Sequence, residues 1–420
     1  MRLTLQRFQV HDVRFGSRTG YDDGLLTVGR EELVGLISRD GRFRRVDIEI
    51  VHPGERTRIT NVLEITEPRI KEGDKPTYYP GMVGDLYRAG EGTTNVLSGS
   101  AVLELGVMPG FPPGLVDMAG EGAVYSPFSG THNICLVTEP APGVERNEYG
   151  QALMQAGLET SVYLARSTLG LSPHEVEVFD PDNRLDVDPG LPAIGYLFQL
   201  HSHGDWREPF VYGDNSRRYY PTILHPNEIL DGAIVCGHYT MSFALKNITY
   251  SLLNHPVILD LYKKHGRELN FKGVVISPEP TSLKEIRRSA IMAANLLKNV
   301  LKVDGAIITK EGGGHTDVDV MQNCDECERV GIKTAIIDNE FIGPDGAGEL
   351  PLLAVSPNAN AIVSVGNFDG LVRFSPVDRN VGGDMTDMGG DLTGELSAPV
   401  RYIPNGVSQV GLTCLTTEMR

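Results

Sequence analysis

The run Ala193-Ile194-Gly195-Tyr196-Leu197-Phe198-Gln199-Leu200 is almost wholly apolar and stops on His201-Ser202-His203-Gly204-Asp205. A strand with one wet face alternates polar and apolar residues, so a continuous apolar run implies burial on both faces. Similar runs recur at 232–236, 271–277, 305–309, 333–338 and 361–365, separated by helical patterns at 254–264, 283–301 and 319–330. Strands that alternate with helices in this way predict a parallel sheet with helices packed on it. In such sheets ligands sit beyond the carboxyl ends of the strands. His201 and His203 fall just after one predicted strand, and Gly237-His238 just after another. Lys310-Glu311-Gly312-Gly313-Gly314-His315 follows a third, and Asp338-Asn339-Glu340 closes a fourth. Four strand ends carrying ionisable residues are therefore expected to converge on one cleft.

Upstream the rhythm differs. Residues 3–15 and 46–51 alternate like half-buried strands, with further strands at 58–65, 95–106 and 175–179. One helix is expected at 30–39 and another at 148–168, while 106–130, rich in glycine and proline, reads as loop. The predicted fold class is α/β: a β-rich N-terminal domain over 1–145, ended by Glu139-Pro140-Ala141-Pro142-Gly143, and a Rossmann-like parallel-sheet region over 146–420. The glycine-rich tail after Pro376 is expected to loop over a partner or fray.

With 420 residues, 40% of them hydrophobic and 22% charged, the chain has the composition of a folded protein of two or three domains. Its net charge of −17 speaks against nucleic acid, which is held by clustered Lys and Arg, and against an anionic membrane surface. No stretch approaches the roughly 18 apolar residues of a membrane helix, and the N-terminus lacks the apolar core of a signal peptide. Five cysteines do not make a disulfide framework, so a reducing cytoplasm is expected.

At strand spacing, residues two apart point to the same side, so His201 and His203 can ligate one metal ion, with His238 completing the set and His315, Asp317 or Asp319 as the alternatives. Asp205, His315 and Glu340 are the candidates for assisting ligand or general base. Imidazole and carboxylate together suit zinc or non-haem iron better than magnesium. The plainer alternative is that the histidines bond to loop backbone or to substrate. The glycine turn 312–314 lets backbone N–H groups approach an anion, but it has neither the Walker nor the dinucleotide-binding spacing. Cys324 and Cys327 lack the second pair of a structural zinc site and read as ordinary helix thiols. His225-Pro226-Asn227-Glu228 reads as a helix cap, and Lys310 as a solvated lysine or one that steers an anion or forms a Schiff base.

Several segments together carry a family resemblance. They are Val46-Asp47-Ile48-Glu49-Ile50, Pro53-Gly54-Glu55 with Arg58-Ile59-Thr60, Glu67-Pro68-Arg69, and Asp117-Met118 with Tyr125-Ser126-Pro127-Phe128-Ser129. They continue in Val211-Tyr212-Gly213, Asp231-Gly232-Ala233-Ile234-Val235, Pro256-Val257-Ile258, and Lys264-His265-Gly266-Arg267-Glu268-Leu269-Asn270-Phe271. Thr316-Asp317-Val318-Asp319 and Gly331-Ile332-Lys333-Thr334 complete the set. Through them the chain resembles, almost end to end, the proprotein subunit of glycine/sarcosine/betaine reductase component B. The resemblance implies self-cleavage at an Asn-Cys bond, with the cysteine becoming a pyruvoyl group that holds an amine as a Schiff base. It also implies a second subunit whose selenocysteine or cysteine attacks the activated carbon.

Where that Asn-Cys pair is expected, after Val235, this chain reads Cys236-Gly237-His238-Tyr239. A pyruvoyl group arises by loss of a β-heteroatom, which neither His238 nor Tyr239 can provide, and Ser242 is the next such residue downstream. No pyruvoyl is therefore expected. His201, His203 and His315 also depart from the amide-type residues expected of the family, so a bound metal is expected to take over the activating role. The first reading is a metal-dependent enzyme, reductase-like or hydrolytic, acting at a C–N bond of a small polar amine or amide. The others are a reductase subunit serving a partner's thiol or selenol without metal, and a non-catalytic scaffold. A second component-B-type subunit is the expected partner.

Overall fold

The computed structural model describes residues 1–108, 113–181, 188–202, 209–238, 245–348, 352–385, 388 and 391–412. At its centre is a six-stranded sheet in the order Thr222–Leu224, Asn270–Glu279, Ala193–His201, Gly305–Thr309, Lys333–Glu340, Ile362–Asn367. The last five run parallel, and Thr222–Leu224 closes one edge antiparallel. Leu197, Val275, Ile308 and Ile336 point to one face, where they meet Ala293, Leu297, Val320 and the buried thiols Cys324 and Cys327. Tyr196, Phe198, Val274 and Ile276 fill the other face with Leu252, Ile258, Leu261 and Ile403. Burial on both faces is the physical reason these strands lack a polar alternation.

The helix Leu283–Asn295 begins where the Ser282 hydroxyl accepts the Glu285 N–H. It runs into a π-helical turn, Leu296–Leu301, which ends on the left-handed Lys302. The helix His315–Arg329 starts after a turn in which Gly312 and Gly314 adopt positive φ. Taken in chain order, the first parallel strand lies between the second and the third, so strand order reverses beside Ala193–His201. A reversal of this kind opens a crevice at the carboxyl ends of the strands.

The N-terminal strands build two larger sheets and a small one in the order Asp12–Gly16, Leu25–Gly29, Gly20–Asp22. Of the larger two, one runs Gly114–Asp117, Thr57–Thr66, Ser100–Gly106, His132–Pro140, Phe43–Val51; the other runs Glu175–Phe179, Leu3–Gln9, Gly92–Ser98, Arg69–Lys71. Every residue of Thr57–Thr66 is buried. The helix Arg146–Ala165 lays Met154, Leu158 and Val162 against Ile70, Val102 and Leu136. Among the described residues no helix is long and apolar enough to cross a membrane.

Several sequence expectations change. The strand expected at 232–236 is only Ile234–Val235, and it pairs antiparallel with Phe210–Val211 in a small separate sheet. Gly232, at φ 80° against the Tyr78 ring, turns the chain and leaves it too short to join the parallel sheet. Residues 3–15 divide into Leu3–Gln9 and Asp12–Gly16. The expected loop 106–130 contains the strand Gly114–Asp117 and two 3-10 turns. Glu139 and Pro140 still belong to a strand. In the tail, Arg379–Val381 pairs parallel with the start of Thr57–Thr66.

Candidate functional site

Three of the four expected strand ends converge, and they bury an excess of carboxylates. His201 ends its strand fully buried, its Nδ1 3.7 Å from Glu279 Oε2, and Glu279 ends the neighbouring strand. Glu311 follows Gly305–Thr309 and accepts backbone N–H groups from both sides: Asn247 at 2.9 Å and His201 at 3.3 Å. Its own N–H donates to Glu279 Oε1 at 2.9 Å. Behind them Lys310 is fully buried, with its ammonium 3.0 Å from Asp338, 3.4 Å from Asp317 and 2.9 Å from the Gly312 carbonyl. The solvated reading of Lys310 is therefore wrong, because two carboxylates and a carbonyl take the place of water. Asp319, on the helix that starts at His315, is buried beside Glu279.

Burial dominates the titration here. It pushes Glu279 and Asp319 well above the carboxylate range, Asp338 to about 6 and Glu311 to about 7. The donated N–H groups and Lys246 hold Glu311 back from a larger rise. Desolvation lowers the Lys246 ammonium to about 7, with Glu311 pulling the other way. Lys246 touches Glu64 and donates to the Leu63 carbonyl at 3.0 Å, and Glu64 also accepts the Thr249 N–H at 2.7 Å. A lysine and a glutamate both poised near neutral pH can exchange a proton with a bound ligand at little cost. Gln199, two residues before His201 and fully buried, has both amide atoms without a hydrogen bond among the described residues. A polar ligand at the strand ends would satisfy them.

His238 lies elsewhere in the same interior. Its Nε2 is 2.5 Å from Glu104 Oε2 in the strand Ser100–Gly106, and both side chains are buried. Burial raises Glu104, and His238 opposes that rise. The helix Arg146–Ala165 leaves space for Glu104 at Gly157, where a Cβ would fall 2.6 Å from the carboxyl carbon.

The expected sites fare unequally. His201 stands at the buried strand ends, whereas His315 opens its helix half-buried and Glu340 ends its strand half-buried. His203 and Asp205 lie outside the described residues, as do Tyr239 and Ser242. Neither His201 nor His238 belongs to a group of three described donors close enough to share an ion. The described residues therefore do not assemble the expected metal centre. The residues at the family's cleavage position do not fit a pyruvoyl either: His238 stands where Asn is expected, and Tyr239, where the cysteine is expected, has no β-heteroatom to eliminate. His225 caps Pro226–Leu230 as expected, its Nδ1 accepting the Asn227 N–H at 3.1 Å.

Sequence reasoning missed Glu64, Glu104, Glu279 and Lys246, and it did not single out Glu311. One signal was available: Leu63-Glu64-Ile65 and Leu103-Glu104-Leu105 each set a lone acid inside an apolar strand, which is costly unless the acid has a partner. A cavity of about 1250 Å³ lined by Lys71, Tyr87, Arg88, Glu159 and Arg166 contains none of these strand-end residues and mixes both charge signs.

The sequence profile described as glycine/sarcosine/betaine reductase component B subunits matches residues 1–402. A protein named glycine reductase complex component B subunits alpha and beta, from Peptoclostridium acidaminophilum, is 37% identical over 385 residues, covering 91% of this chain and 89% of its own. Its namesake from Acetoanaerobium sticklandii is 35% identical over 431 residues, covering 100% of both chains. The betaine reductase complex component B subunit alpha of Peptoclostridium acidaminophilum is 37% identical over 387 residues, covering 90% of this chain and 87% of its own. No solved structure matches significantly.

Proposed function

The chain belongs to the glycine/sarcosine/betaine reductase component B family, and from that premise we propose that it is a component-B-type subunit that binds a small cationic amine at the carboxyl ends of its parallel strands. It presents the carbon of the C–N bond to a thiol or selenol carried by a partner chain. The observation that carries this reading is the buried excess of carboxylates: Glu279, Glu311, Asp317, Asp319 and Asp338 against Lys246, Lys310 and His201. Buried carboxylates that outnumber their cations either hold protons or await a cation.

The chemistry favours the cation. When sulfur or selenium attacks the carbon, the C–N bond breaks and its electron pair leaves with nitrogen. Nitrogen departs as a neutral amine only if it was cationic beforehand. In this reading Glu279 and Glu311 keep it so, and Gln199 orients the substrate's polar end. The region 146–420 is read as Rossmann-like, with the crevice at its strand reversal, and 1–145 as the β-rich domain that supplies Glu64 and Glu104. The four described cysteines are all thiols, which supports placing the chain in a reducing cytoplasm.

Calorimetric titration of the purified chain with glycine, sarcosine and betaine tests the reading. At least one of them should bind, and Glu311→Gln should weaken that binding about tenfold, as expected when a buried charge-assisted contact is lost. If none binds with or without a co-purifying partner, the amine reading fails.

A further inference from the structure

We propose that Asp12, His52 and His132 form a binding site for one divalent transition-metal ion, with zinc as the expected occupant, away from the strand-end site. His52 follows the strand Phe43–Val51, and His132 opens the strand His132–Pro140. These strands pair antiparallel with Asn133 opposite Val51, so the two histidines face each other across the ladder. Asp12 arrives from another sheet, as the first residue of Asp12–Gly16.

The two Nδ1 atoms lie 3.0 Å apart, with the rings crossed at 79°. Two imidazoles bound to one metal at about 2.0–2.1 Å place their nitrogens roughly 3.0–3.4 Å apart. Asp12 Oδ1 is 3.9 Å from His52 Nδ1, and the three donor atoms all lie within 4.8 Å of one another. Glu55 lies on the far side of the His52 ring, its Oε1 3.9 Å from Nε2 and accepting the His52 backbone N–H at 3.1 Å. A shared proton alone would account for the histidine pair, but it would not need a carboxylate turned to the same gap.

Two imidazoles and one carboxylate suit zinc and its neighbours rather than magnesium or calcium. Asp12 is largely exposed, so the remaining position opens to water. An ion here would tie the strand Asp12–Gly16 to the edge of the six-stranded N-terminal sheet. His132 pairs with Ser100, four residues before Glu104, so this site lies about 13 Å along the ladder from the buried Glu104–His238 pair.

The full chain, stripped with a chelator, should bind one equivalent of cobalt(II) chloride with a visible d–d band. Zinc chloride should raise its melting temperature. The double variant His52→Gln/His132→Gln should lose both effects, and Asp12→Asn should weaken cobalt binding by about tenfold. Asp12→Asn changes only an exposed side chain, so it remains informative if the double variant folds poorly. Absence of stoichiometric cobalt binding, or equal affinity in wild type and Asp12→Asn, overturns the proposal. Because Glu311→Gln leaves this site intact, failure of amine binding and failure of metal binding are separate results.

Discussion

Glu311 accepts two backbone N–H groups and still sits near pH 7, so burial outweighs both hydrogen bonds. A carboxylate raised in the folded state binds its proton more tightly there than in the unfolded chain. Its contribution is therefore largest below the unfolded value, near 4.5, and is lost as pH climbs to about 7. The full swing is on the order of 3 kcal/mol. Lys246 works on the other side: depressed to about 7, it penalises the fold below that pH, and the penalty lifts only as pH rises toward the ordinary lysine range. The two windows barely overlap. Glu311→Gln should therefore flatten the fall in stability between pH 5 and 7 and leave the behaviour above pH 8 unchanged, as read by urea unfolding at a series of pH values. An unchanged slope in that window would contradict the assigned shift. At this scale the sequence set His201, Glu311 and Asp338 at strand ends expected to meet, but it did not name Glu279. Histidine pairs stand out in a linear reading, whereas Glu279 and Glu311 gain meaning only from the sheet order that brings them together.

The helix Arg146–Ala165 makes a stricter argument at the level of elements. Glycine inside a helix costs about 1 kcal/mol relative to alanine, so Gly157→Ala would ordinarily stabilise. Here the new methyl would overlap the Glu104 side chain that pairs with His238. Overpacking of this kind costs typically 1–3 kcal/mol. The prediction is a net loss of up to about 2 kcal/mol, read as a lower urea midpoint. A stabilised variant would mean that helix and strand move apart freely. The elements themselves were largely legible: 193–200, 271–277, 305–309 and 333–338 all appear as strands because burial on both faces writes itself into composition. Sheet membership was less so. Glu175–Phe179 is a strand as expected, yet it pairs with Leu3–Gln9, and nothing in its five residues names that partner. The segment 232–236 misled because its length is fixed by the turn at Gly232 rather than by its apolar run.

Over the whole molecule, the chain's last hundred residues return to its first hundred, and Arg58 is where the return is fastened. Its guanidinium grips Asp117 with bonds of 2.7 and 3.0 Å and donates to the carbonyls of Ser375, Leu392 and Gly394. Arg379–Val381 then extends the same strand's ladder. No local pattern around Arg58 announces contacts more than 300 positions away, so a tail expected to fray is instead held at these points. Arg58→Met would leave Asp117 buried without its counter-charge, a loss of about 3–5 kcal/mol. It would also free three carbonyls of the C-terminal segment, so limited proteolysis should cut between residues 375 and 395 well before the rest of the chain. Arg58→Met/Asp117→Leu should recover part of the stability, because the unpaired charge is then gone, but not the protease resistance, because the carbonyls remain without a donor. If the double variant regained both, the three carbonyl contacts would not be what fastens the tail; recovery of stability without resistance assigns the fastening to them.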